Sequence, residues 1–289
     1  MRTPFLLGAV VLSLAAGACG VAKPTSKHAA GPTITIGSSG STPMVVVANL
    51  YAAVLTHAGA RVTLKTSSRS GVDLYPDVAG ELLLSLDAAD TTAATQTATA
   101  VPELKLLLAA SGATVLHPAP ALDTEVFVVT RATANLYHLT TISSLAPVAS
   151  KLVLGGSPAC PPQPQCQAGL QSTYGLHFKS FTSLDDAGTI TVAALRGGEV
   201  QIAKVHSSDG SILENSFVAL VDDKHLLNAD NVIPVIRTSV VRPKVAAALD
   251  KLSAHLTTDQ LARLTMEVTV NHDTPGAVAR RWLEHDGLI

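Results

Sequence analysis

Thr33-Ile34-Thr35-Ile36-Gly37-Ser38-Ser39-Gly40-Ser41-Thr42-Pro43 decides the fold, because a β-branched run passes through a Gly/Ser loop into apolar residues at helical spacing. Met44, Val47, Leu50, Tyr51, Val54, Leu55 and Ala58 supply that spacing. Ser41 or Thr42 stands where a helix cap belongs, Pro43 suits a first turn, and Gly59 suits a stop. The next strand falls at residues 61–66. Asp73-Leu74-Tyr75 reads as a strand end broken by Pro76, and residues 80–86 as the start of a helix. Farther on, residues 125–130 and 151–154 read as buried strands, 192–205 as helix then strand, and 231–235 as a further strand. This alternation is the signature of an α/β chain with parallel sheets.

The C-terminal region carries clear punctuation. Residues 244–256 are amphipathic, Thr257 and Gln260 have capping-box spacing, and Pro275 opens a last helix that Gly287 closes. The region is too apolar to stand alone, so it packs back on the first lobe and the chain crosses between two lobes twice. With 289 residues, 47% hydrophobic and 15% charged, the chain has the length and apolar content for two lobes and is neither disordered nor a disulfide scaffold. Lys and Arg total 20 against 22 Asp and Glu, which removes the basic excess that nucleic-acid binding needs. Clefts between α/β lobes, at the carboxyl ends of strands, take small ligands.

Met1-Arg2-Thr3, an apolar run over residues 5–14 and Ala15-Ala16-Gly17-Ala18 before Cys19 read as a secretory signal over residues 1–18. Small residues ahead of a cysteine look like a bacterial lipobox, with Ala16 where leucine is commoner. Lipidated Cys19 would then head a tether over residues 19–32 and anchor the protein to the cell membrane; an ordinary cleaved signal is the alternative. Cys160 and Cys166 remain, and in an exported chain they close a small disulfide ring. Zinc is the rival reading, although the spacing is wide for a ligand pair and His177 has no second histidine at ligand spacing. The ten histidines form no His-x-His or His-x-x-x-His pair, so no metal and no cofactor is expected. The loop from Gly37 to Pro43 offers hydroxyls and free amides at a helix start, where an anion or a simple cap is equally served. It is neither a Walker loop nor a nucleophile elbow.

Further motifs fall in a recognisable order: Ile34-Thr35-Ile36-Gly37-Ser38, Asp73-Leu74-Tyr75-Pro76-Asp77-Val78-Ala79-Gly80, the Cys160 to Cys166 loop, Tyr174-Gly175-Leu176, Ala194-Leu195-Arg196-Gly197-Gly198-Glu199-Val200, Ser207-Ser208-Asp209-Gly210 and Asn231-Val232-Ile233-Pro234-Val235. In this the chain resembles the ProX/OpuAC-type substrate-binding proteins, actinobacterial ProX lipoproteins in particular, over residues 33–289. These are extracytoplasmic receptors of ABC importers for glycine betaine, choline, carnitine and related solutes. The resemblance implies a two-lobe, hinge-closing fold of the type II periplasmic-binding kind. Lobe one would span residues 33–124 and 230–289, and lobe two residues 125–229. It also implies a monomeric binding protein with no catalysis, whose partners are a small solute and the permease subunits.

Against the family pattern Tyr-Pro-Glu-Tyr-Thr-Gly-Thr, this chain reads Tyr75-Pro76-Asp77-Val78-Ala79-Gly80-Glu81, so a cage tyrosine becomes Val78 and a ligand-contacting threonine becomes Glu81. Glu125 follows Thr124 where the family often has an aromatic. Gln163 replaces an arginine of the disulfide loop, Ser39 a Lys or Gln of the first loop, and His206 the aromatic before the Ser-Asp-Gly motif. A quaternary ammonium has no hydrogen-bond donor and is held by aromatic faces, each contributing about 0.5 to 2 kcal/mol, so the losses bear on specificity. The resemblance makes Ser39, Thr42, Tyr75, Val78, Glu81, Glu125, Gln163, His206 and Asp209 the candidate ligand set. Such a polar set suits a polyhydroxylated or phenolic ligand as an alternative. Glu125 and Asp209 have hinge or capping duty as their other reading. Tyr51, Phe178, Phe181, Phe217 and Trp282 read as core. A secreted hydrolase using Ser207 or Ser208 beside His206, or a scaffold with a degenerate cleft, are the remaining classes.

Overall fold

A computed structural model describes residues 33–65, 68–87 and 93–289, besides Met1. The signal segment, Cys19 and the tether lie outside the described residues. In chain order the strands are β1 (Ile34–Ile36), β2 (Val62–Leu64), β3 (Leu74–Val78), β4 (Ala113–Val115), β5 (Glu125–Val129), β6 (Val153–Gly156), β7 (Ser180–Ser183), β8 (Ile202–His206), β9 (Val218–Ala219) and β10 (Val232–Arg237). The helices are α1 (Thr42–His57), α2 (Ala79–Leu86), α3 (Thr97–Ala109), α4 (Arg131–Tyr137), α5 (Gln167–Tyr174), α6 (Thr189–Gly197), α7 (Gly210–Glu214), α8 (Pro243–His255), α9 (Thr258–Thr269) and α10 (Pro275–His285).

Two five-stranded sheets, ordered β2-β1-β3-β10-β4 and β7-β6-β8-β5-β9, make two α/β lobes. Each is mixed rather than parallel. β1 runs parallel to β2 and β3, and β6 to β7 and β8, as strand–helix alternation requires. β10 is antiparallel to β3 and β4, and β5 to β8 and β9, because these two strands enter their sheets straight from the crossings between lobes.

Pro76 does not end β3, contrary to the sequence expectation. It lies opposite Pro234 in the antiparallel ladder, and two prolines can face each other only where the pair exchanges no N–H···O bonds. On its other side β1 stops at Ile36, level with Leu74, so no neighbour needs the donor that Pro76 lacks.

Helix α1 forms the middle of the first lobe's core. Met44, Val47, Leu50, Tyr51, Val54 and Leu55 are all buried, and they meet Leu74 and Val78 of the sheet and Leu249, Leu261, Val278 and Leu283 of α8, α9 and α10. The C-terminal helices thus pack back on α1, as their apolar faces require. Thr257 and Gln260 close the expected box: Thr257 Oγ1 accepts from the Gln260 N–H at 3.3 Å, and Gln260 Oε1 from the Thr257 N–H at 2.8 Å. Ser41 stands at the N-cap of α1 without a side-chain cap bond. In the second lobe Phe127, Val129, Ile202, Leu154 and Leu170 belong to one buried cluster with the disulfide-bonded Cys160 and Cys166. Tyr51 and Phe217 are buried core; Phe178, Phe181 and Trp282 are half-buried at the edges of the same clusters. None of the described helices is long and apolar enough to cross a membrane.

The crossings at residues 122–124 and 228–231 are tied to each other. Asp123 N–H donates to Asp230 O at 3.0 Å, Leu122 bridges Asn231, and Thr124 Oγ1 donates to Asn228 O at 3.2 Å. Ser207 Oγ accepts from Thr124 N–H at 3.1 Å and donates to Leu122 O at 2.9 Å.

Candidate ligand-binding site

The loops that follow β1 and β8 stand at the carboxyl ends of parallel strands, the usual place for a ligand in an open α/β sheet. After β1 the chain turns at Gly37, where a Cβ would lie 2.0 Å from Ser68 O, so no larger residue fits. Ser39 Oγ then lies 3.2 Å from Ser41 Oγ, and α1 begins. After β8, Asp209 caps α7 by accepting the Ser211 N–H at 2.8 Å. Gly210 presses on α9, a Cβ there meeting Met266 Cβ at 2.6 Å, so the second lobe's α7 abuts the first lobe's α9.

Between these elements lies a cavity of about 330 Å³. Ser41, Thr42 and Pro43 of the first lobe form one wall, Thr265 and Thr269 of α9 another, and Asp123, His206, Ser208 and Asp209 the third. Ser208 Oγ donates to the Asp123 carboxylate. Among the described residues the walls hold hydroxyls, two carboxylates and an imidazole, and no Phe, Tyr or Trp side chain. They can accept and donate hydrogen bonds and oppose a cationic centre with negative charge.

The structure brings together Thr42, His206 and Asp209 of the sequence-derived set, with Ser39 beside Ser41 at the rim. Glu125 stands opposite His206 in the β5–β8 register, and Lys204 Nζ donates to Glu125 Oε2 at 2.5 Å. Four expected residues lie elsewhere. Val78 shares a face of β3 with Leu74 and is buried in the α1 core, since side chains alternate along a strand. Tyr75 points to the other face, where it lines a separate cavity of about 180 Å³ with Arg69, whose guanidinium lies 5.8 Å from the ring centroid. Glu81 enters through its backbone: its N–H donates to Asp230 Oδ1 at 2.8 Å. Gln163 is turned out on the disulfide loop, and Gln165 instead ties that loop to a crossing, donating to Asn228 Oδ1 at 2.6 Å. The hydroxyls beside His206 are hydrogen-bonded to the crossing: Ser207 to Thr124 and Leu122, and Ser208 to Asp123.

Two buried carboxyls shape the electrostatics. Burial pushes Asp230 up to about 7, against the stabilising Glu81 N–H and Thr124 hydroxyl and with the Glu81 and Asp123 charges adding to the rise. Burial likewise pushes Asp77 up to about 6, although Arg69 at 2.7 Å and the Val78 N–H favour its charged form. Asp123, Lys204, Asp230, Thr265 and Thr269 were not singled out from sequence. Thr265 and Thr269, one turn apart on α9, left a readable trace as a polar strip; the others depend on how strands and crossings pair.

A family model described as the substrate-binding domain of an ABC-type glycine betaine transport system matches residues 32–285. The carnitine transport binding protein OpuCC of Listeria monocytogenes is 22% identical over 170 residues, 58% of this chain and 54% of that protein. The ergothioneine transport permease/ergothioneine binding protein EgtU of Helicobacter pylori is 24% identical over 168 residues, 57% of this chain and 30% of that protein. The chain thus spans about half, or less, of the length of these curated relatives. Among solved structures, apo YehZ from Escherichia coli superposes with a TM-score of 0.81 at 21% identity, over 90% of this chain and 100% of that one. A glycine betaine/carnitine/choline ABC transporter structure gives 0.80 at 20% identity, over 88% and 99%. Lactococcal OpuAC, closed around glycine betaine, gives 0.53 at 16%, over 89% and 98%. The fold is accordingly that of the two-lobe type II periplasmic binding proteins. From the match over residues 32–285, the chain belongs to the family of substrate-binding domains of ABC-type glycine betaine transport systems.

Proposed function

We propose that the protein is an extracytoplasmic receptor that captures a small compatible solute of the quaternary amine class and hands it to the permease subunits of an ABC importer. The observation that carries this reading is the polar cavity between α1, α7 and α9, placed where two lobes meet beside their paired crossings. Lobe one comprises residues 33–124 and 230–289 and lobe two residues 125–229, which accords with the membership of the two sheets. Ser39, Thr42, Glu125, His206 and Asp209 contact the solute. Tyr75, Val78, Glu81 and Gln163 stand away from this cavity and are left out of the contact set. Ligand contacts to both lobes stabilise a closed form, and that form docks on the permease; no bond is made or broken in the solute. The receptor is a monomer held at the membrane through lipidated Cys19, so Cys19→Ser releases it to the soluble fraction, and retention on the membrane overturns the anchor.

The absence of Phe, Tyr and Trp from the described cavity walls favours a second reading, a polyhydroxylated or phenolic solute bound by the same fold. Thermal-shift screening of the purified protein separates the two. A ligand at about 100 times its dissociation constant stabilises the fold by roughly 2.7 kcal/mol. Stabilisation by glycine betaine, choline or carnitine supports the first reading, and a shift from polyols or phenolics alone replaces it with the second. No shift from any of these solutes, followed by no heat in calorimetry, sinks the receptor assignment.

A further inference from the structure

Between residues 33 and 289 the sulfur atoms are those of Met44, Met266, Cys160 and Cys166. The two cysteines are joined in a buried disulfide, and Met44 is 3% exposed in the core around α1. Met266, on α9, is half-buried. It is therefore the thioether of this part of the chain that a dissolved oxidant reaches first.

The base of the Met266 side chain carries a contact between the lobes. A Cβ placed on Gly210 of α7 would lie 2.6 Å from Met266 Cβ and 3.1 Å from its Cγ. Sγ is the next atom beyond Cγ, so an oxygen bound to it stands close to the atoms on which α7 rests. Thr265, just before Met266, and Thr269, one turn farther on, line the interlobe cavity from the first lobe. Asp209, just before Gly210, lines it from the second. Methionine fills such a contact because its side chain is unbranched and apolar. Its sulfoxide is polar and chiral, and an acceptor pressed into a packed contact without a donor is costly unless water comes in to meet it. Water between the two helices parts them.

We propose that Met266 is a site of reversible oxidation by hydrogen peroxide, and that its sulfoxide parts α7 from α9 and weakens the capture of solute in the adjoining cavity. The thioether lone pair attacks one peroxide oxygen and the O–O bond breaks. That oxygen stays on sulfur, and the departing hydroxide takes up its proton and leaves as water. Sulfur loses two electrons and the peroxide gains them. Reductases specific for each sulfoxide epimer return the side chain to methionine, so the change works in both directions. The effect on capture rests on the receptor reading above; the site and the parting of the two helices do not.

Limited treatment of the purified protein with hydrogen peroxide, followed by peptide mass analysis, tests the site. Met266 gains one oxygen at least about tenfold faster than Met44 in the folded protein, and the two react alike in urea. Met44 reacting as fast as Met266 without denaturant overturns the assignment. In small-angle scattering the oxidised protein has a larger radius of gyration than the untreated one. Met266→Leu keeps an apolar side chain of similar volume with no sulfur to oxidise, and its scattering does not change on treatment. Unchanged scattering from protein oxidised at Met266, or an equal increase in treated Met266→Leu, overturns the parting of α7 from α9. Calorimetry with glycine betaine reads the effect on capture: oxidation weakens its binding at least about fivefold, and undiminished binding overturns that effect. Should the untreated protein bind no glycine betaine, the failure belongs to the receptor reading for this solute, and mass and scattering still decide the role of Met266.

Discussion

Asp230 concentrates several duties in one side chain. It sits on a crossing, is buried, and supplies the acceptor that α2 lacks, since Val78 at that helix's N-cap offers no side-chain bond. Its carboxyl is raised from 3.8 to about 7 in the fold, mainly by burial. The folded protein therefore holds a proton there more tightly than the unfolded chain. The stability this contributes is fully present below about pH 4 and is lost as pH rises through about 7; Asp77, raised to about 6, acts in the same direction. Asp230→Asn keeps an acceptor for the Glu81 N–H and removes the charge. We expect its melting temperature to exceed that of the native protein at pH 8 and the gap to narrow toward pH 5, read by calorimetry across that range. A constant gap would show that Asp230 does not titrate in this window. Of the residues that line the cavity, Thr42 lies in the loop that the strand-to-helix pattern marks, whereas His206 and Asp209 are pointed to by the family resemblance. Val78 lies in the α1 core, because a family pattern gives the position of a residue but not which face of β3 it occupies.

At the scale of single elements the local signals were strong. The box at Thr257 and Gln260 is present as the spacing predicts, and it starts a helix that supplies Thr265 and Thr269 to the cavity. Thr257→Ala is expected to cost about 1 kcal/mol, the usual worth of such a cap, and to lower the midpoint of urea unfolding without changing its slope. An unchanged midpoint would mean that packing of α9 on α1 and α10 alone sets its start. Pro76 shows the opposite case. A proline read locally ends a strand, yet the ladder with β10 places Pro234 across from it and no hydrogen bond is lost. The strand belongs to its sheet as much as to its own residues.

For the whole molecule, the contact of Gly210 with Met266 joins the lobes next in sequence to Asp209 and Thr265, which line the cavity. A Cβ at Gly210 would meet Met266 Cβ at 2.6 Å and its Cα at 3.0 Å, atoms that cannot swing aside as a side-chain tip can. Gly210→Val is therefore expected to hold α7 away from α9, raising the radius of gyration in small-angle scattering and weakening solute binding, while each sheet keeps its own core. Native-like scattering and affinity in this variant would show that the two helices do not gate the cavity.

The sequence alone determined the α/β class, the starts of α1, α9 and α10, the return of the C-terminal helices to the first lobe and the cysteine pair, since these follow from periodicity, caps and spacing along the chain. Only the tertiary structure decided that both sheets are mixed, that Pro76 stays in its strand, and that Asp123 and Asp230 pair across the two crossings. Those outcomes depend on which strands become neighbours and which face each residue takes, and hydrogen bonds between segments as far apart as Glu81 and Asp230 leave no local trace.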